Sequence, residues 1–226
     1  DEIRSGNLEL LIDFPERVGI PVESFHGGLS GPTSDFASLD EDVRLSAVAW
    51  TTSYDANIAH FLGAKYVVFH CSFYDRKQPQ AQSPAERPIR RQQFLNIMAE
   101  ISDRFAELGL VAAMETLGPG DMGGDIRELI DLVDEVNRDN VRICLDTGHA
   151  HWCNQTDWSQ THHDPGPYLP PTPSVPEATR LIGDRLVTLH VQDSLGPEDG
   201  HRIPGMGDID WPEFIAALRD IRYPGV

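Results

Sequence analysis

Cysteine is scarce in this chain. Only Cys71, Cys144 and Cys153 occur, and no pair has CxxC spacing. Neither a disulfide framework nor a thiolate zinc site is indicated, and a reducing, cytoplasmic setting is the simpler expectation. Long apolar runs are missing as well: no stretch approaches the roughly 18 apolar residues of a membrane span. The opening DEIRSGNLEL lacks the basic start and apolar middle of a leader, so no membrane partner is expected. Basic side chains are outnumbered, 18 Lys and Arg against 36 Asp and Glu, for a formal net charge of -18. Such a surface repels phosphate backbones, and nucleic acid is a disfavoured partner. The one basic cluster, Arg87, Arg90 and Arg91, reads as a solvated helix face.

What is present fits one domain over residues 1–226, with 40% hydrophobic residues to build its core. Short β-branched apolar segments alternate with longer segments of helical period, which argues for a parallel sheet covered by helices. The expected strands are Ile20 to His26, Tyr66 to Cys71, Val111 to Thr116, Val141 to Asp146 and Leu186 to Val191. One helical stripe runs Phe94, Ile97, Met98, Ile101, Phe105 and Leu108, with Gly109 just past its end; a second runs Ile126, Leu129, Ile130, Val133 and Val136. Ser38 with Glu41 and Ser174 with Glu177 have capping-box spacing, and Asp210 before Trp211 and Pro212 reads as a helix start. Residues 1 to 17 read as a further helix. The segment at about 150–173, AHWCNQTDWSQTHHDPGPYLPPTP, carries too much proline, glycine and polar residue for a regular element and reads as a long loop. His151, His162 and His163 on it are expected at the surface, while His60 and Trp50 on helices are expected to be structural.

Polar residues collect where the strands end. His26, His70, Glu115, Asp146 and His190 each close an apolar run. In a parallel barrel every strand's carboxyl end opens on one face, so residues from five distant segments would converge on one pocket. Carboxylates packed together there are costly without a compensating cation or proton, and a bound divalent ion supplies the compensation. Asp146-Thr147-Gly148-His149 adds an imidazole three residues after a strand-end carboxylate, and Trp152 follows it. Past His190, the run Asp199 to Trp211 (DGHRIPGMGDIDW) carries Gly205 and Gly207 and lets the backbone fold close to a ligand.

The segments METL, CLDTGHA, LHVQD and DGHRIPGMGDIDW, in this order and rough spacing, resemble the xylose isomerase-like TIM-barrel superfamily of sugar isomerases, sugar epimerases and endonuclease IV type nucleases. The resemblance runs from about Ile20 onward. It implies an α/β fold, a TIM (β/α)8 barrel incomplete at both ends in this chain, because the family's last-strand glutamate ligand would follow Tyr223-Pro224-Gly225 and Val226. Open strand edges then point to a homo-oligomer. It further implies that Glu115, Asp146 and His190 bind a divalent metal ion (manganese, magnesium, cobalt or zinc). His149 would touch substrate or a second metal, and Asp199 with His201 resembles a pair that takes further ions in the nuclease branch, as do His26 and His70. Arg202 and Trp152 are weaker candidates for substrate contact.

The activity implied is a metal-dependent sugar or sugar phosphate isomerase or epimerase acting on a small-molecule carbohydrate. Glu115 would serve as catalytic acid/base, moving a proton next to a carbonyl through an enediolate. Three alternatives stay open: an endonuclease IV-like phosphodiesterase on abasic DNA, a dehydratase of the keto-inositol or dehydroshikimate type, and a sugar-binding protein without activity.

Overall fold

The computed structural model describes residues 15, 17–28, 35–71, 85–157, 168 and 171–225. The expected helix over residues 1 to 17 lies almost wholly outside the described residues, as do Trp158, His162 and His163.

Among the described residues, five strands form one sheet in the order β1-β2-β3-β4-β5: β1 Ser24–His26, β2 Tyr66–Phe69, β3 Val111–Glu115, β4 Val141–Asp146 and β5 Leu186–His190. All four pairings are parallel. Helices intervene: α1 Glu41–Trp50, α2 Ala56–Phe61, α3 Arg87–Glu107, α4 Ile126–Val136, α5 Thr147–Gln155 and α6 Val175–Ile182, with α7 Trp211–Asp220 after β5. This is part of a (β/α) barrel, as expected.

Period-two alternation sorts the strand residues. Val67, Phe69, Ala112, Met114, Ile143 and Leu145 face the helices and join the main core with Phe94, Met98, Ile101 and Phe105 of α3 and Leu129 and Val133 of α4. Tyr66, Val68, Ala113 and Cys144 form a smaller cluster on the opposite, inner face. Glu115 and Asp146 follow Ala113 and Cys144 by two residues, and so project to that inner face above the cluster.

One irregularity decides what stands beside Asp146. The β4–β5 register runs Ile143 to Leu186 but Cys144 to Thr188, so Val187 is an extra residue. Continued without the bulge, that register would set Leu189 opposite Asp146; with it, His190 stands there. A one-residue slip exchanges the two faces of a strand, so the bulge is what turns an imidazole into the barrel.

Several sequence expectations shift. Strand β1 is shorter than Ile20 to His26: Lys65 and Tyr66 donate their N–H groups to the Glu23 carbonyl, and upstream Ile20 is exposed. The first helix is capped by Asp40, which accepts from the Asp42 and Val43 N–H groups; Ser38 instead accepts from Asp40 N–H. Ser174 with Glu177 does form a capping box, and Asp210 accepts from Glu213 N–H to start α7. The expected loop from residue 150 begins later, because α5 runs on to Gln155. His151 is therefore buried against the interior rather than at the surface. The basic cluster at the start of α3 divides: Arg87 is tied inward to Glu128 at 2.6 Å and Arg90 to the Ala37 carbonyl, while Arg91 pairs with half-exposed Glu135 at the surface at 2.6 Å, as a solvated face does.

Candidate metal centre at the strand ends

Glu115 stands at the middle of the site. It ends β3 and is 2% exposed, and its two oxygens face different partners. Oε2 lies 3.0 Å from His26 Nε2 and 3.2 Å from His70 Nε2; Oε1 lies 2.9 Å from His190 Nδ1 and 3.6 Å from His149 Nδ1. Burial pushes the Glu115 carboxyl up, but hydrogen bonds from His190, His26 and His70 outweigh it and hold the group well below the usual carboxylate range. Its hydrogen bond to Glu115 raises His190 in turn, against the effect of burial. Burial lowers His149, and the Asp146 and Glu115 carboxylates more than reverse it.

Asp146 has two duties. It caps α5, accepting from the His149 N–H at 2.9 Å, and it faces the site, with Oδ2 3.8 Å from His190 Nδ1. Gln192 fixes it from behind, donating from Nε2 to Oδ1 at 2.9 Å and Oδ2 at 3.0 Å. Gly148 leaves the room for this: a Cβ there would overlap the Gln192 side chain. Two threonine hydroxyls carry the sheet past its last ladder bonds. Thr116 accepts from Asp146 N–H at 2.8 Å, and Thr147 accepts from Gln192 N–H and donates to the Gln192 carbonyl.

The five strand-end residues named from sequence thus meet, and His149 from the first turn of α5 and Asp199 and His201 from the loop after β5 join them. His26, Glu115 and His190 form one group whose donor atoms lie within 4.8 Å of each other, as do Glu115, Asp146 and His149, and an outer group of His149, Asp199 and His201. Glu115 and His149 each belong to two of the three groups. Within the outer group His201 Nε2 lies 3.0 Å from Asp199 Oδ1, which lies 3.7 Å from His149 Nε2.

The orientation of one imidazole fits a cation: His149 Nδ1 lies 2.9 Å from the Thr116 carbonyl. Tying one ring nitrogen to a carbonyl selects the tautomer whose other nitrogen offers a lone pair, the arrangement of metal-binding histidines. Oxygen and imidazole donors without thiolates suit manganese, magnesium, cobalt or zinc by type.

The weaker candidates divide. Trp152 is half-buried over Gly118, where a Cβ would meet its ring. Arg202 is exposed and pairs with Glu198 at 2.9 Å, so its guanidinium is engaged at the loop surface. Trp50 bonds Asp55 and Trp211 bonds Asp193, giving both indoles structural partners. His60 bonds the Leu108 carbonyl, as a structural histidine should.

Sequence reasoning missed Gln192, Asp193 and Asp55. Asp55 ends a π-helical turn, Thr51–Asp55, is 3% exposed and accepts from Gly28 N–H and Trp50 Nε1. Burial pushes its carboxyl up to about 6 against those hydrogen bonds.

Comparison with known proteins bears on the family and the fold. A D-psicose 3-epimerase of Enterocloster bolteae is 34% identical over 130 residues, 57% of this chain and 36% of that protein. The match thus spans less than two thirds of the relative's length. A solved D-tagatose 3-epimerase-like protein superposes with a TM-score of 0.75 at 22% identity, covering 98% of this chain and 74% of the other. An IOLI protein with a bound zinc atom does so with a TM-score of 0.69 at 21% identity, covering 94% and 69%. At these identities the two structures establish the fold. Residues 8–226 match the family described as xylose isomerase-like TIM barrel, and with nearly the whole chain inside that match, the protein belongs to this family.

Proposed function

We propose that the protein is a metal-dependent sugar epimerase or isomerase that moves a proton on the carbon next to a carbonyl. The observation that carries this reading is Glu115: a buried carboxylate kept ionised by histidines, beside Asp146 and His190, at the mouth of a barrel. The psicose epimerase relative and the tagatose epimerase-like structure support the substrate class.

Glu115, Asp146 and His190 would hold the cation, with His26 and His70 on the second oxygen of Glu115. A bound divalent ion supplies Lewis acidity toward the carbonyl and enediolate oxygens. Glu115 is the group that takes the proton from carbon. In an isomerase it returns the proton to the neighbouring carbon on the same face, whereas an epimerase needs a second acid on the opposite face, the place of the family's last-strand glutamate. The histidine donors keep the Glu115 carboxylate ionised at neutral pH, able to accept although weakened as a base, and burial keeps water from competing for it. His149 and His201 face outward from the same pocket and would hold substrate hydroxyls; with Asp199 they also form a donor set for a second cation. Trp152 would wall the β3 side of the pocket.

The test is exchange at carbon. The full-length protein with Mn²⁺ and ketohexoses in D₂O should incorporate deuterium next to the carbonyl and interconvert epimers. Glu115→Gln should lower both rates by about 10²–10⁴-fold, the usual worth of a positioned base. Unchanged rates in that variant would end the role given to Glu115. Binding of sugar with no exchange in the wild type would favour a protein that only binds.

A second reading, the abasic-site phosphodiesterase, is favoured by one feature: His26 and His70 both sit on Glu115 Oε2 while His149, shared with Glu115 and Asp146, makes a further donor group with Asp199 and His201, as a multinuclear site requires. The formal charge of -18 opposes it. Nicking of an abasic duplex, measured against salt concentration, separates the two.

A further inference from the structure

The loop that brings Asp199 and His201 to the site is organised around a residue outside the site itself. Asp193 is fully buried, and its carboxylate collects five donors. Oδ1 accepts from Ser194 N–H at 2.9 Å and Ile209 N–H at 3.3 Å. Oδ2 accepts from Gly205 N–H at 2.8 Å, Gly207 N–H at 3.0 Å and Trp211 Nε1 at 2.7 Å. A buried carboxylate needs about this many donors to stay ionised, and they hold Asp193 below its ordinary range against the effect of burial.

The same residue closes the loop through its main chain. Asp193 and Arg202 exchange both N–H···O bonds, at 2.8 and 2.9 Å. Inside that closure, the Ser194 hydroxyl donates to the Glu198 carbonyl and accepts from Gly200 N–H at 3.1 Å. Farther along, Asp208 N–H returns to the Ser194 carbonyl. Gly207 is required in this cradle, because a Cβ would run into the Ser194 carbonyl and Asp193 Oδ1. At the end of the closed turn His201 is held with φ of 43°, a left-handed backbone that a non-glycine residue keeps only when its surroundings impose it. Asp193 therefore touches no donor atom of the outer group, yet both ends of the turn carrying Asp199 and His201 are fastened to it.

We propose that Asp193 is a positioning residue: its carboxylate presets Asp199 and His201 against His149, so that the outer group accepts a cation without any rearrangement of the loop. This rests on the reading of His149, Asp199 and His201 as a donor set.

The full-length protein, stripped of metal and titrated with Co²⁺ alone, provides the test. Calorimetry and the cobalt visible spectrum count equivalents, and His201→Ala identifies which belongs to the outer group. Asp193→Asn, which replaces an all-acceptor carboxylate by an amide with two donors, should weaken the outer equivalent by about 10–100-fold, as loss of supporting hydrogen bonds does at metal sites. The inner equivalent should stay unchanged. Gly207→Ala should give the same pattern by crowding the cradle, and Asp193→Asn should add nothing in the His201→Ala background. Should Asp193→Asn fail to fold, Trp211→Phe carries the test, since it removes the one side-chain donor to the Asp193 carboxylate and keeps the aromatic ring. If the wild type binds two equivalents and these variants keep the second at full affinity, the positioning role is overturned while the donor set stands. Both affinities falling together would also overturn it, because that marks general loss of structure. A wild type that takes one equivalent overturns the donor-set reading, and the positioning role with it.

Discussion

Gln192→Leu separates orientation of the metal site from stability of the fold. Gln192 is 8% exposed, and its Nε2 bonds both oxygens of Asp146 at 2.9 and 3.0 Å, while its buried Oε1 meets no donor among the described residues. Losing a hydrogen bond to a charged group costs about 1.5–3 kcal/mol, and removing an unsatisfied buried acceptor returns about 1–3 kcal/mol. The two nearly cancel, so the thermal midpoint of the metal-free protein should move little. The cation should bind about 10–100-fold more weakly, because Asp146 loses the partner that fixes its plane. A weaker effect opposes this, since a carboxylate with fewer donors is the stronger base. Mn²⁺ calorimetry on metal-free protein, with thermal unfolding of the same samples, reads both quantities. Unchanged affinity, or a fall in affinity matched by a large drop in midpoint, would refute the reasoning.

Asp55 should leave a mark on the pH dependence of stability. Its folded pKa, about 6, exceeds the ordinary 3.8, so the stability it contributes is complete below about pH 4 and is lost as pH rises to about 6. Roughly two units correspond to about 3 kcal/mol. Urea unfolding of wild type and Asp55→Asn across pH 4 to 7 should show their difference shifting toward the variant by about that amount; a flat difference contradicts it. Arg87→Ala strands Glu128, which is 1% exposed, and should destabilise by about 3–5 kcal/mol. The paired change Arg87→Met with Glu128→Leu should recover part of this in the same measurement, and no recovery would mean that Glu128 acts mainly through Gly123 N–H.

The candidate metal centre is legible in sequence to the extent that it depends on strand ends. His26, His70, Glu115, Asp146 and His190 each close an apolar run, and parallel pairing brings the strand ends to one face. What stayed hidden depends on local geometry. The bulge at Val187 has no glycine or proline to mark it in LVTLH, yet it sets His190 beside Asp146. Gln192 and Asp193 follow the last strand as ordinary polar residues; only the spacing of Asp193 from Gly205, Gly207 and Trp211 hints at a folded-back loop. Helix α5 has no counterpart in the sequence reading, because HWCNQ has little apolar character and the segment from 150 reads as a loop. That error also misplaced His151, which is buried on the inward side of the helix.

The double duty of Asp146 ties local folding to chemistry. One carboxylate both starts α5 and faces the candidate cation, so a substitution that retunes the ion's affinity also frays the first turn of the helix that supplies His149. Under the proposed function, selection for a different ion would have little freedom at this position, and adaptation would be channelled toward its neighbours, Gln192 among them, which can adjust the carboxylate without replacing it.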